Sequence, residues 1–343
     1  MKKILFFIFL FILLPQTVCG QSLDFENDNL QKAEIIDSTE NFIRVETKLG
    51  ERITVDQSVE TDQHLSLRVG DKVLVNKLIM ENGEERFMIV DVIRRAPIYF
   101  LIFLFIVLIL VLYRKQGLKA LLGLLVSLLI IIFILAPMIL AGFNPLFSAI
   151  VIGGLAFVCM TYITYGRNKK SHVAVIGTLI SLSLVGVLSY LFANLSSLSG
   201  FVTDEATFLV TMGYEINMRG LLLAAIIIGT LGVLDDVTVG QASVVQELKE
   251  VDQNLSGWQL YNKAMRVGRD HVSSMINTLF FAYIGASFPL FLLFTIGAPP
   301  FDSLGAIINN EIVATEIVRT LVGSISLLLA VPVTTWVAVK FNK

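Results

Sequence analysis

Polar and apolar residues follow two different rhythms along the chain. Ile43, Val45 and Thr47 share one face of an extended segment, and Ile53 and Val55 follow a Gly50-Glu51 turn. Leu65, Leu67 and Val69 form another alternating run. Val73 to Met80 and Phe87 to Ile93 are joined by Glu81-Asn82-Gly83-Glu84, a hairpin signal. Alternation with period two between turn residues predicts half-buried strands. The reading is a β-rich domain of four or five short strands within residues 21–96, preceded by an acidic, loose stretch over 21–40. No side chain in it suggests catalysis; a small interaction or spacer module is the reading, with ligand binding as the alternative.

Beyond residue 96 the alternation gives way to seven apolar runs, at about 97–113, 118–141, 146–165, 173–195, 220–246, 271–297 and 315–339. The first has 17 residues, and the others are long enough to cross about 30 Å of hydrocarbon as helices. The expected fold class is an α-helical polytopic membrane protein with seven transmembrane helices (residues 97–343) and a small β-rich exported N-terminal domain. Composition agrees: the 343 residues are 55% apolar and 16% charged, with a mean hydropathy of +0.77. Soluble domains run at about 25% charged, so an ordinary soluble enzyme and a disordered chain are both excluded. A net charge of −2 without a basic cluster gives no reason to expect nucleic acid as a partner.

Residues 1–20 have the layout of a secretory signal peptide: Lys2 and Lys3, an apolar stretch from Ile4 to Leu14, Pro15, then Val18-Cys19-Gly20. An uncleaved anchor is the alternative, and either form exports the residues that follow. The basic side chains fix the orientation. Arg114, Lys115, Lys119, Arg167, Lys169, Lys170, Lys249, Lys263, Arg266, Arg269, Lys340 and Lys343 fall on one side of the seven spans. The loops at 142–145, 196–219 and 298–314 hold only Arg219. The positive-inside rule then places the N-terminal domain outside and the C-terminus inside, the orientation expected in a bacterial cytoplasmic membrane. Cys19 and Cys159, with His64, His172 and His271 scattered, offer neither a disulfide framework nor a metal site.

Ionisable groups inside apolar spans are costly and therefore informative. Asp235 and Asp236 lie in Gly232-Val-Leu-Asp-Asp-Val-Thr-Val-Gly240, about 22 Å below Gly220 by helical rise, and apolar sequence resumes after them. Two adjacent carboxylates at low dielectric cannot both ionise cheaply, so one of them would bind a proton. This makes the pair a proton or ion relay. Alternatively, the span ends at Leu234 and an aspartate caps a surface helix running to Lys249. The next span places Ser274, Asn277 and Thr278 on one helix face with His271 and Ser273 nearby, either to hydrogen-bond the aspartates or to pack helices. In the last span Glu316 and Arg319 form a membrane ion pair by spacing, with Thr315 adjacent. Its plain role is structural, and its sharper one is a gate. Pro332 is placed to kink that helix.

Enzyme templates are missing. No second membrane aspartate on another span, glycine-rich phosphate loop, Ser-His-Asp set or His-Glu-x-x-His motif occurs, so the chain is read as no enzyme, with no cofactor.

Gly232-Val-Leu-Asp-Asp-Val-Thr-Val-Gly-Gln-Ala-Ser243 resembles the YibE/F-like family of bacterial membrane proteins. So do Gly268-Arg-Asp-His-Val-Ser-Ser-Met-Ile-Asn-Thr278, Ala314-Thr-Glu-Ile-Val-Arg-Thr-Leu-Val-Gly323 and Pro332-Val-Thr-Thr335. That resemblance implies a multi-pass membrane protein and brings no settled biochemistry. The Gly232–Val237 segment is also similar, more weakly, to the fourth helix of a resistance-nodulation-division transporter half, where an aspartate pair relays protons. This chain lacks that family's large exported loop and has one half only, which implies a homodimer or a related membrane partner within the lipid bilayer. Two functions follow. One is a permease, driven by protons through Asp235 and Asp236, of unknown substrate. The other is a non-transporting envelope scaffold or signalling protein whose exported β-domain binds a partner.

Overall fold

The computed structural model describes residues 30–39, 42–47, 50–56, 67–79, 85–297, 299 and 301–342. The signal segment and the Glu81–Glu84 link lie outside the described residues. Two compact units divide the chain, one ending at Leu108 and the other starting at Ile109.

The first unit contains a five-stranded antiparallel sheet: β1 (Leu30–Ser38), β2 (Phe42–Thr47), β3 (Arg52–Asp56), β4 (Lys72–Ile79) and β5 (Glu85–Val92). The spatial order is β3-β2-β1-β4-β5. Ile43 pairs with Val55 and Val45 with Ile53, as the alternation predicts. The β4–β5 pairing confirms the hairpin, with Ile79 opposite Glu85. Two expectations need correction. The stretch taken as loose contains β1, the central strand, bonded to both β2 and β4. Only Ala33 and Ile35 point inward from it, between Lys32, Glu34 and Asp37, so its local signal is weak and pairing on both edges supplies the order. The run through Leu67 and Val69 holds no strand among the described residues, since Val69-Gly70 is a turn. The inward face is aliphatic: Ala33, Ile35, Ile43, Val45, Ile53, Val55, Val73, Val75 and Ile89.

The described residues after the sheet are mostly helical. α1 (Arg95–Ile130) runs through a π-helical stretch, Ile131–Leu135, into α2 (Ala136–Leu140). Pro137, with no N–H to give, sits just past the stretch. α1 is not one rod. Arg114 has φ 50° and ψ −124°. A Cβ on Gly117 would stand 2.6 Å from the Ile109 carbonyl oxygen, whereas eight residues of unbroken helix span about 12 Å. The chain therefore bends sharply at Arg114.

α3 (Pro145–Tyr165), α4 (Lys169–Leu195), α6 (Met218–Val251) and α10 (Glu311–Phe341) pack together, with α7 (Gly257–Ala286) against α6 and α10. The short α5 (Asp204–Thr211), α8 (Phe288–Ile296) and α9 (Leu304–Asn309) complete the series. Each of the four central helices starts at an asparagine, Asn144, Asn168, Asn217 or Asn310, whose side chain accepts a first-turn N–H. Apolar packing is dense: Phe157, Leu182, Ile226, Ile227, Leu234 and Leu327 are almost wholly buried.

Five helical stretches are long and apolar enough to cross a membrane: Arg95–Leu140, Pro145–Tyr165, Lys169–Leu195, Met218–Val251 and Glu311–Phe341. A sixth arises if α7 and α8, bent by 69° at their junction, count as one. Pro289, in the first turn of α8, accounts for that break. Pro332, by contrast, lies inside α10 without ending it.

Candidate functional site

Asp235 and Asp236 sit at the centre of α6, 17 residues from Met218 and 16 from Val251 for Asp235. The helix neither stops at Leu234 nor restarts after it. Its N-cap is Asn217 and its C-cap Asp252, so the reading of the aspartates as caps is set aside.

Helix contacts fix the level of the pair. The hydroxyls of Thr178 on α4 and Thr238 on α6 are 2.7 Å apart. α4 runs opposite to α6, since the Arg219 Nε at the start of α6 donates to the Leu198 carbonyl just past the end of α4, at 2.6 Å. Ser181 and Asp235 are each three residues from the Thr178–Thr238 contact in the same direction, so they share a level. α10 runs parallel to α6, because Gln241 Nε2 donates to Thr335 Oγ1 at 2.7 Å and Gly323 lies beside Thr230.

The two carboxylates differ in setting. The Asp235 Oδ1 is buried and has no hydrogen-bond partner. Asp235 is half-buried and lies within electrostatic reach of Tyr165 at the end of α3. Asp236, about 100° further round the helix, is exposed, and His271 on α7 is close enough to act on its charge. Neither forms a salt bridge among the described residues.

α7 carries Ser274, Asn277 and Thr278 past the pair. Its imidazole at His271 lies against Gly240 and its Tyr283 hydroxyl against Gly229. Interpolating between these contacts puts residues 275–277 opposite the aspartates. The three polar side chains are thus at the expected level, but none is hydrogen-bonded to Asp235 or Asp236. Thr278 instead donates to the Ser274 carbonyl at 3.2 Å.

Arg319 and Glu316 are paired at 2.8 Å, and each is about one quarter exposed. The Gly323–Thr230 contact sets Arg319 level with residue 226 of α6, about 13 Å from Asp235. The ion pair and the aspartates are therefore separate features.

Several polar groups were missed by sequence reasoning. Gln241 bridges three helices, donating also to the Ala264 carbonyl at 3.0 Å. Room for its Oε1 comes from Gly268, where a Cβ would stand 2.7 Å away. At the other end Glu311 accepts the Ser199 hydroxyl at 2.8 Å and the Gly200 N–H at 3.1 Å, tying the loop after α4 to the start of α10. Thr161, Thr178, Ser181, Thr238 and Thr334 are fully buried around the Asp235 level. The spacing of three between Thr178 and Ser181 was the available signal.

A bundle of long apolar helices with a carboxylate at the centre of one of them defines a polytopic helical membrane protein. The chain belongs to the YibE/F-like protein family, whose model matches residues 101–343. No curated protein matches it, nor does any solved structure.

Proposed function

We propose that the chain is a permease of a bacterial cytoplasmic membrane, coupled to ion entry through Asp235 and Asp236. The observation that carries this reading is the buried, partnerless Asp235 Oδ1 at the midpoint of a 34-residue apolar helix. Among the described residues no structural ion pair explains a carboxylate there, and intramembrane carboxylates mark ion and proton paths. Counting the arms on either side of Arg114 separately, and the bent α7–α8 pair once, gives seven spans. The basic residues on one side of them then put the sheet outside, behind a signal peptide, and the C-terminus inside. Ser274, Asn277 and Thr278 tune the exposed side of the pair, and the similarity to one transporter half points to a homodimer or related partner.

A hydrophobic carbodiimide, which attacks protonated carboxyls in lipid, tests this in native membranes across a pH series, with peptide mass spectrometry as the readout. Adducts on Asp235 or Asp236 that persist near neutral pH and fall as pH rises support the reading. Unlabelled aspartates, beside Glu247 and Glu250 that react with a water-soluble carbodiimide, would overturn it.

The second reading, an exported domain that binds a partner while the helices serve as scaffold, is favoured by a 260 Å³ cleft on the sheet lined by Asp37, Thr39, Phe42, Arg44 and Thr54. Phe42 is half exposed there. If this reading holds, Asp235→Asn and Asp236→Asn leave function intact, and substitutions in the cleft abolish it.

A further inference from the structure

The oxygens around Asp235 form a layer across four helices. Thr161 comes from α3, Thr178 and Ser181 from α4, Asp235 and Thr238 from α6, and Thr334 from α10. Pro145 lies against Gly220 and Gly153 against Leu231, so α3 runs parallel to α6 and Thr161, eight residues past Gly153, is level with about residues 236–239. The Thr334 hydroxyl fills the notch left by the missing side chain of Gly177, beside Thr178. By helical rise the six residues lie within about 9 Å of height.

Hydroxyl protons and lone pairs can be assigned within this layer. Thr238 Oγ1 donates its one proton to the Leu234 carbonyl at 2.8 Å. Thr178 must then be the donor in the 2.7 Å contact with Thr238, which leaves lone pairs free on Thr178. Thr161, Ser181 and Thr334 are 0% exposed, and their hydroxyls have no partner at all; nor has Asp235 Oδ1. Buried polar atoms without partners cost free energy. Four of them, drawn from four helices within less than two turns of height, indicate a ligand that the oxygens were placed to meet.

We infer that this layer binds one small monovalent cation, of sodium size, through the Asp235 carboxylate and the surrounding hydroxyls. Oxygen donors of this kind suit hard cations. One carboxylate among neutral oxygens balances a single positive charge. A divalent or transition-metal site would need more, and no group of three or more His, Cys, Asp and Glu side chains able to hold a metal occurs among the described residues. This deepens the proposed function by naming the coupling ion, and it rests on that reading only for what the bound ion drives.

The test is direct binding of ²²Na⁺ to the purified full-length protein. Saturable binding of one ion per chain is expected in the millimolar range or tighter, competed by lithium and not by choline. Asp235→Asn should abolish it, and Ser181→Ala and Thr334→Val should weaken it several-fold. Ser189→Ala removes a partnerless hydroxyl about 12 Å further along α4 and should leave it unchanged. Absence of saturable binding, or binding that survives Asp235→Asn, overturns the inference. A second readout separates the two claims: sodium should protect Asp235 from the carbodiimide. Labelling that ignores sodium overturns the cation site and leaves the permease reading standing. Sodium binding without any carbodiimide labelling does the reverse.

Discussion

In the sheet, the buried side chains are aliphatic with Thr47 as the exception, and charges stand outside in pairs such as Arg44–Asp37 and Lys77–Glu85. In the bundle, serines and threonines are buried from Ser148 on α3 to Thr335 on α10, while exposed positions are held by Leu, Phe and Ile. The difference follows from the solvent. Water rewards burial of apolar area by about 25 cal/mol per Å², so the sheet sends its apolar residues in. Lipid is as apolar as leucine and offers no such reward, so close packing of small residues and hydrogen bonds hold the helices together. A serine that would be a fault in the sheet is ordinary material in the bundle.

The sharpest way to break this comparison is a charge in the sheet core. Val45, 0% exposed, faces Ile53 across the β2–β3 pair. Val45→Asp buries an unpaired carboxylate and should destabilise the sheet by roughly 4 kcal/mol, enough to unfold it. Limited proteolysis of the full chain in vesicles should then cut between residues 30 and 92 while the helical segments stay intact. Protease resistance equal to the parent chain would refute the claim that this face is dry core.

A reciprocal exchange of near-isosteric residues sharpens it with a smaller effect. Val45→Thr should cost the sheet about 1–3 kcal/mol, the desolvation of one hydroxyl. Thr315→Val in the bundle removes a hydroxyl that is buried without a partner and should cost nothing, raising stability by up to about 1–3 kcal/mol. Cys159, half-buried on α3, gives the bundle its readout through a thiol-reactive dye during a thermal ramp. Equal losses from the two exchanges would mean that both units follow one packing logic.

The same contrast explains how much of the molecule was legible in its sequence. Apolar runs carry the membrane helices openly, and alternation carried β2 to β5. β1 was hidden because Ala33 and Ile35 are too little pattern for nine residues, and its order comes from neighbours distant in sequence. The aspartate pair was visible because a charge in an apolar run is conspicuous. The hydroxyl layer around it was not, since Thr161, Ser181 and Thr334 look like any membrane serine or threonine until the packing of α3, α4 and α10 brings them near the level of Asp235. The bends at Arg114 and before Pro289 alter how runs are counted into spans, and hydropathy alone does not register a bend.

The smallest effect concerns charge pairs in the two settings. Arg94 Nη1 lies 2.6 Å from Asp91 Oδ1, and the Val92 N–H donates to the same oxygen at 2.7 Å. The Arg94 hydrogen bond, helped by that N–H, holds the Asp91 carboxyl below its ordinary range. A carboxyl depressed in the folded state adds stability that is present above its unfolded pKa of about 4 and is lost as pH falls through the folded value. Arg94→Ala should therefore be slightly less resistant than the parent to unfolding of the sheet at pH 5–7. The two proteins should converge as pH falls through the folded-state value of Asp91, as followed by pepsin digestion at the acid end and a neutral protease above it. Because both side chains of the pair are about half exposed to water, 1 M salt should largely erase the difference at every pH. The Glu316–Arg319 pair in the bundle, about one quarter exposed, should keep its contribution in the same salt. A salt-sensitive Glu316–Arg319 pair would place that stretch of α10 in open water and redraw the boundary between the two regimes.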